Sequence, residues 1–216
     1  MSEVQKKILT KLETEKIEPE QTLWATSICS DEVNNFLYEF NELFAGPGPF
    51  RMGGISGLPF TGITGLKAFL SHVPTHGSAM IFYGPHIGVS KNGLLGQVNR
   101  QNQFGLSTCC GSLVAALSAI ENHNELPTNN PLDYQQARVI QHLHGKRDEI
   151  LDSEFPLKNA TDLAFEAIDK KLNLIIDSIK EDLQDLKILL VGGIVINTDW
   201  NIEDYFDIRK SQFLEF

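Results

Sequence analysis

The sequence predicts an α/β fold in which helices flank an open, mostly parallel sheet within a single domain. Strand-like apolar segments alternate along the chain with amphipathic helical segments, an order that is typical of such folds. The segment KILLVGGIVINT, residues 187–198, is almost continuously apolar, which indicates a central parallel strand buried on both faces. The length of 216 residues suffices for one sizeable domain and is short for two.

The first predicted element is a helical arm over residues 1–21. Its apolar side chains recur at roughly helical spacing between charged ones, at Val4, Ile8, Leu12 and Ile17. A domain of this size would bury that apolar stripe poorly by itself. We therefore expect a homodimer in which the arm packs across the partner, while residues 22–216 form the domain.

The domain is predicted to open with a strand followed by a helix. Residues 22–30, TLWATSICS, are apolar and β-prone, and this strand ends near Cys29. Residues 30–44 predict a helix, because Ser30 or Asp31 can cap its first turn.

A long loop is predicted next. Residues 46–65 hold seven glycines and three prolines, the densest such run in the chain. A loop of this length inside a compact domain is usually functional. Residues 66–73 then predict a helix, and residues 78–90 a buried strand that runs out near His86. Further helices are predicted over residues 108–123, 131–143 and 159–183, before the central strand.

Composition and charge exclude several classes of partner. The net charge is -10 and no cluster of Lys or Arg follows one face, so we expect no nucleic-acid partner. The longest apolar runs are too short to span a bilayer, so we expect no membrane association. Three cysteines do not make a disulfide framework, which favours a reducing compartment. We expect a cytoplasmic protein, or one whose organelle transit peptide has been removed.

Three metal-binding residue types fall at the ends of predicted elements. Cys29 and His86 lie at strand ends, and Cys110 lies at the start of a helix. Ligands of open parallel sheets bind beyond the carboxyl ends of the strands. Thiolates and imidazole bind zinc readily, and three protein ligands leave a fourth position for water, as in catalytic sites. Asp31, two residues after Cys29, is close enough to accept a hydrogen bond from that water.

The residues alone leave two other interpretations open. The cysteines can be small buried apolar residues with no role in chemistry. A thiol hydrolase is the second alternative, in which Cys110 or Cys109 is the nucleophile and His86 the general base.

Five longer motifs carry a resemblance to a known family. They are CSDE, GGISGLPFTGITGLKAFLSHVP, FYGPHIGVSKNGLLGQVNR, CCGSLVAAL and LLVGGIVINTD. Together they resemble the LCIB-type (low-CO2-inducible protein B/C) family, whose members include theta-type carbonic anhydrases. That family is related in fold to the β-carbonic anhydrases, so the resemblance implies a β-carbonic-anhydrase-like sheet over about residues 22–206. It also implies a homodimer.

The resemblance implies a zinc ion held by Cys29, His86 and Cys110. Cys110 is preferred to Cys109 because the family's ligand directly precedes a glycine, as Cys110 precedes Gly111. The implied reaction is the reversible hydration of CO2 to bicarbonate by zinc-bound hydroxide.

The β-enzymes add an Asp that orients the zinc-bound water and an Arg that holds the Asp. Asp31 matches the Asp, but the usual Arg position two residues later holds Val33. We therefore predict Arg51, in the glycine-rich loop, as the catalytic partner of Asp31, with Arg100 in reserve. The alternative is an inactive zinc-binding homologue that binds bicarbonate or a partner in inorganic carbon handling. An Asp31 bound to zinc, or an Arg51 far from Asp31, would favour that alternative.

Overall fold

The computed structural model describes residues 3–34, 40–122, 130–183 and 185–216. The α-helices in these ranges are α1 (Glu3–Thr14), α2 (Gly62–Leu70), α3 (Gly111–Asn122), α4 (Tyr134–His144), α5 (Arg147–Leu151) and α6 (Pro156–Asp177). The strands are β1 (Thr22–Ile28), β2 (Ala45–Arg51), β3 (Ser78–Gly84), β4 (His86–Gly88), β5 (Gln97–Asn99), β6 (Leu106–Thr108), β7 (Lys187–Asn197) and β8 (Tyr205–Glu215).

A six-stranded sheet forms the centre of the molecule. Its parallel strands follow the order β2–β1–β3–β7–β4, and β8 pairs with β7 in the antiparallel direction. β3 pairs with the first half of β7, and β4 pairs with its last residues. β5 and β6 form a separate two-stranded hairpin. The predicted mostly parallel α/β sheet with flanking helices is therefore confirmed.

Strand alternation divides the core into two layers. Successive side chains of a strand point to opposite faces of the sheet. Ile81 of β3 therefore packs in the layer between the sheet and helices α3 and α6, whereas Phe82 packs on the opposite face of the sheet. On that second face an aromatic cluster surrounds the fully buried Trp24. The rings of Phe40 and Phe82 lie 5.1 Å apart and each lies 6.1 Å from Trp24.

Helix α1 packs on this aromatic face of its own chain. Ile8 is 3% exposed and Leu12 is fully buried there. The apolar stripe that we expected to lie across a partner is thus buried internally, which removes that argument for a dimer. The division into an arm and a domain stays a prediction.

Two predicted elements differ from the structure. Residues 31–34 form a turn instead of the first turn of a helix, and residues 35–39 lie outside the described ranges. Here Asp31 accepts a hydrogen bond from the Val33 N–H, and the Asn34 amide donates to the Cys29 carbonyl. Such local side-chain bonds compete with helix formation.

The start of the predicted glycine-rich loop is also different, because β2 pairs in parallel with β1 at the edge of the sheet. Pro47 and Pro49 lie within β2. Proline is tolerated there because an edge strand leaves backbone positions that need no ladder hydrogen bond.

Among the described residues, no helix combines the length and the apolar character that crossing a membrane requires.

Gly84, the last residue of β3, permits the close approach of β3 to β7. Its φ is +149°, and an added Cβ would collide with the carbonyl oxygen of Gly193. We expect Gly84→Ala to lower the free energy of unfolding by more than about 2 kcal/mol, because backbone must move to admit the methyl group. Urea unfolding followed by circular dichroism measures this change.

The matched control is Gly145→Ala. Gly145 has a right-handed helical backbone, and an alanine Cβ at this position would have no neighbouring atom within 4 Å. This substitution should leave stability unchanged or slightly raised. Equal stability of the two variants would contradict the role given to Gly84.

Candidate metal centre

The three predicted metal ligands meet at one edge of the sheet. Cys29 directly follows β1, His86 begins β4, and Cys110 directly precedes α3. One ligand atom from each lies within 4.8 Å of the other two. The exposed fractions of Cys29, His86 and Cys110 are 7%, 0% and 1%. Strand and helix ends therefore enclose a buried cluster of two thiols and one imidazole.

The sulfur separation fits a shared tetrahedral metal. The Sγ atoms of Cys29 and Cys110 lie 3.9 Å apart, and both cysteines are free. A disulfide would require about 2.05 Å. Two thiolates at about 2.3 Å from a tetrahedral zinc are about 3.8 Å apart.

The hydrogen bonds of His86 direct its second nitrogen toward the sulfurs. Nδ1 lies 2.7 Å from the side-chain oxygen of Asn197, whose amide group donates to the Val33 carbonyl and to Asp204. Because the Asn197 amide group is committed to these acceptors, its oxygen must accept the proton of Nδ1. The other nitrogen, Nε2, is buried and has no hydrogen-bond partner among the described residues. Metal-binding histidines are typically held in this way.

The cluster favours a negative sulfur. The Cys110 thiol donates a hydrogen bond to Cys29, which, against the opposing effect of burial, lowers the pKa of Cys29 to about 4. The same interaction and burial raise the pKa of Cys110. Burial alone would lower the pKa of His86, but the surrounding thiols raise it well above its ordinary value.

The glycine-rich loop adds a backbone donor to the cluster. The N–H of Ser56 lies 3.1 Å from the Cys29 sulfur. Ser56 has a left-handed backbone with φ 59°, and Gly57 follows with φ +89°. A Cβ on Gly57 would collide with the carbonyl oxygen of Gly84. Gly57 therefore lets the loop pack against the end of β3, with the Ser56 N–H directed at the Cys29 sulfur.

Asp31 is paired with Arg100. The two Nη atoms donate to the two carboxylate oxygens at 3.1 and 3.2 Å, in the bidentate arrangement that fixes the orientation of both groups. Arg100 also donates to Ser107, to the Thr108 carbonyl and to Glu32. Burial opposes ionisation of Asp31, but the hydrogen bonds from Arg100 lower its pKa below the ordinary value. The Oδ2 atom lies 3.9 Å from His86 Nε2, so the carboxylate faces the ligand cluster.

Arg51 was the predicted partner of Asp31, and the structure shows a different arginine in the bidentate pair. The guanidinium that forms the bidentate pair with Asp31 belongs to Arg100, which we had kept in reserve. Arg51 ends β2 and lines a cavity of about 240 Å³ together with Cys29 and Asp31. Its catalytic role stays a prediction, now separate from the pairing with Asp31.

The chain matches a known protein family over nearly its whole length. Residues 1–215 match the family described as limiting CO2-inducible proteins B/C β-carbonic anhydrases. The chain belongs to this family.

Two solved structures of LCIB proteins are similar to the chain. PtLCIB4, a homolog of the limiting CO2-inducible protein LCIB, is 33% identical with a TM-score of 0.91, covering 99% of this chain and 89% of its own. The limiting CO2-inducible protein LCIB itself is 26% identical with a TM-score of 0.74, covering 96% and 86% respectively. No curated protein sequence matches the chain.

Within this LCIB-type site, Cys109 lies on the far side of the imidazole. Its sulfur is 3.5 Å from His86 Nδ1 and 3.5 Å from the Asn197 oxygen, whereas Cys110 lies beside Cys29. Cys109, His86 and Asp31 also form a compact group of donors. Because Nδ1 is committed to Asn197, the Cys110 group is the better match for a metal.

Sequence reasoning missed Asn197 and Ser56. Asn197 ends the central strand at the same edge as Cys29, and a polar residue at the carboxyl end of a buried strand was a usable signal. The Ser56 N–H carried no such signal, because its position depends on the backbone of the loop.

We expect purified protein to contain about one zinc per chain. Cys29→Ser and Cys110→Ser should lose the metal, whereas Cys109→Ser should keep it. Loss of zinc should also lower thermal stability, because binding to the folded state alone contributes about 2.7 kcal/mol at a hundredfold excess over Kd. Elemental analysis and thermal unfolding with and without a chelator measure both effects.

The Cys109→Ser variant is the matched control for these substitutions. Full zinc occupancy in a Cys29→Ser, Cys110→Ser double variant would contradict the assignment. Loss of zinc in Cys109→Ser with retention in Cys110→Ser would move the ligand to the neighbouring cysteine.

Proposed function

We propose that this protein is a zinc-dependent carbonic anhydrase that catalyses the reversible hydration of CO2 to bicarbonate. One observation carries the proposal: the Cys29, His86 and Cys110 cluster and the bidentate Asp31–Arg100 pair lie side by side at the same edge of the sheet. A structural zinc site would need only its ligands, whereas an ionised carboxylate held beside the ligands is what water activation requires.

The three ligands would hold zinc through two sulfurs and the free Nε2 of His86. When bound there, zinc would lower the pKa of a water ligand to about 7 and so supply a nucleophile at neutral pH. The fit rests on the sulfur separation, on the Nε2 atom of His86, which has no hydrogen-bond partner in the described part of the chain, and on the Ser56 N–H that donates to the Cys29 sulfur.

Asp31 would orient the attacking water. The hydrogen bonds from Arg100 keep the carboxylate ionised, so it acts as an acceptor and never as a donor at neutral pH. An acceptor beside the ligand cluster would accept a hydrogen bond from the water and so direct an oxygen lone pair away from itself, toward CO2. Arg100 fixes this orientation, because a bidentate pair allows the carboxylate little rotation.

The cavity of about 240 Å³ beside Cys29 and Asp31 would admit the substrate. Trp24 and Ile28 form part of its wall, and apolar side chains suit CO2. Arg51 lies on the same wall, and we propose it as the cation that attracts bicarbonate.

A second candidate function is the inactive zinc-binding homologue. The observation that favours it is the short distance of 3.9 Å between Asp31 Oδ2 and His86 Nε2, because a carboxylate so close to the cluster can become a fourth ligand. A closed four-ligand site would bind zinc without hydrating CO2. The pairing with Arg100 opposes this outcome, since moving Asp31 onto the metal would break both hydrogen bonds.

We expect wild-type protein to hydrate CO2 in a stopped-flow assay, and Asp31→Ala and Arg100→Ala to lose about 10–100-fold or more in kcat/KM while keeping zinc. The double variant should lose no more than the more severe single variant, because the pair acts as a unit. Zinc content is measured in each sample.

Arg51→Ala is the comparison that separates the two arginines. Measured in the dehydration direction, where bicarbonate is the substrate, Arg51→Ala should raise the KM for bicarbonate more than it lowers kcat, because its proposed contact is with bicarbonate. Near-wild-type activity in Arg100→Ala together with inactivity in Arg51→Ala would indicate that Arg51, and not Arg100, is the functional partner of Asp31. Zinc-loaded wild-type protein without activity would favour the inactive homologue.

We also propose a homodimer in a reducing compartment such as the cytoplasm. The family resemblance supports the dimer, and several large apolar side chains are exposed on the described surface, including Phe104 at 108% and Trp200 at 58%. Light scattering should give twice the chain mass of 24.1 kDa at micromolar concentration. A monomer under these conditions would contradict the dimer and leave the metal-site predictions untouched.

A further inference from the structure

The segment after β7 contains a buried carboxylate that the proposed chemistry does not use. Asp199 is 3% exposed and follows the motif INT at the end of the central strand. Its Oδ1 accepts the backbone N–H of Asn99 at 2.8 Å, and its Oδ2 accepts the backbone N–H of Lys91 at 3.3 Å. Burying a carboxylate costs free energy unless it is hydrogen-bonded. A buried carboxylate held by backbone donors beside the end of the central strand therefore indicates a structural or functional role.

These two hydrogen bonds connect segments that carry different parts of the site. Lys91 lies in the turn after β4, the strand that begins with His86. Asn99 ends β5 and directly precedes Arg100. The neighbouring Trp200 N–H donates to the Asn99 carbonyl at 2.9 Å, so both backbone polar groups of Asn99 are held by residues 199 and 200.

The hairpin that carries Arg100 needs such an attachment. β5 and β6 are three residues each and form no part of the central sheet. Three backbone hydrogen bonds attach the base of the hairpin: the Cys109 N–H donates to the Gly96 carbonyl, the Gly96 N–H to the Gly88 carbonyl and the Gly88 N–H to the Cys109 carbonyl. Arg100 lies at the opposite end of the hairpin, where Asp199 and Trp200 supply the attachment.

We propose that Asp199 is a positioning residue that holds Arg100 in register with Asp31. The guanidinium must meet both carboxylate oxygens at once, and a bidentate pair tolerates displacements of only about 0.5 Å. Asp199 fixes the backbone immediately before Arg100, while Ser107 and the Thr108 carbonyl orient the guanidinium within the hairpin. The inference rests on the proposed function only where it expects the Asp31–Arg100 pair to contribute to catalysis; the positioning of Arg100 by Asp199 does not depend on it.

The first test is structural and independent of activity. In 15N-labelled protein the Arg100 Nε–H signal, identified by its loss in Arg100→Ala, reports the hydrogen bond to Ser107 and the pairing with Asp31. We expect Asp199→Ala to shift or broaden this signal. Asp199→Asn keeps the size of the side chain and one acceptor, so it should fold and give a smaller change. Glu203→Gln, an exposed carboxylate in the same loop, should leave the signal unchanged.

The second test measures CO2 hydration. Asp199→Ala should lower kcat/KM about 10–100-fold with zinc content retained, as supporting residues around metal sites typically do. In the Arg100→Ala background, the same substitution should lower kcat/KM no further, because Asp199 would act by positioning the Arg100 side chain, which this background lacks.

An unchanged Arg100 signal in folded Asp199→Ala and Asp199→Asn would overturn the proposal. So would a full additional loss of activity from Asp199→Ala in the Arg100→Ala background. If wild-type protein does not hydrate CO2, the proposed function fails, and the Arg100 signal still decides whether Asp199 positions Arg100.

Discussion

The parallel pairing of β1, β3 and β7 is the constraint on which the rest of the site depends. The register places Ile28 opposite Gly84 and Tyr83 opposite Gly192, so β1 and β3 end side by side. The backbone of the sheet therefore brings Cys29 and His86 close together. The tight approach at Gly84 extends the same alignment to β4, whose His86 lies opposite Val195 near the end of β7.

At the ends of these strands, the side chains form a buried cluster of polar groups whose hydrogen-bonding and charge requirements a bound cation would satisfy. Two thiols and an imidazole share a buried volume, one sulfur is strongly biased toward the thiolate, and Nε2 of His86 lacks a partner among the described residues. Metal-free protein must satisfy these groups by sharing protons between Cys29 and Cys110. Metal binding would release those protons, so the affinity for the metal, and with it the stability that the metal adds, should rise with pH.

The elements that could be predicted from sequence are those with long periodic signals. The apolar run of β7, the strand ending at Cys29 and the helix after Cys110 were readable because burial imposes a pattern over many residues. β8 was missed, although the alternation in YFDIRKSQFLE is typical of a half-buried strand.

The partner of Asp31 was harder to predict for a physical reason. Arg100 reaches Asp31 because a hairpin of two three-residue strands turns it back, and strands that short carry almost no periodic signal. The predicted start of the helix after Ser30 was wrong for a related reason, since the bonds of Asp31 and Asn34 to nearby backbone favour a turn over residues 31–34. In both cases local hydrogen bonds decided the outcome, and hydrophobic patterning does not encode them.

The prolines of β2 have a consequence for how copies of this protein can meet. An unprotected outer strand offers a row of backbone donors to which a strand of another molecule can add, and this is a common route to aggregates. Pro47 and Pro49 remove two of those donors from the outermost parallel strand. Growth of the sheet from one molecule into the next is therefore disfavoured on this side, and ordered association is left to side-chain surfaces.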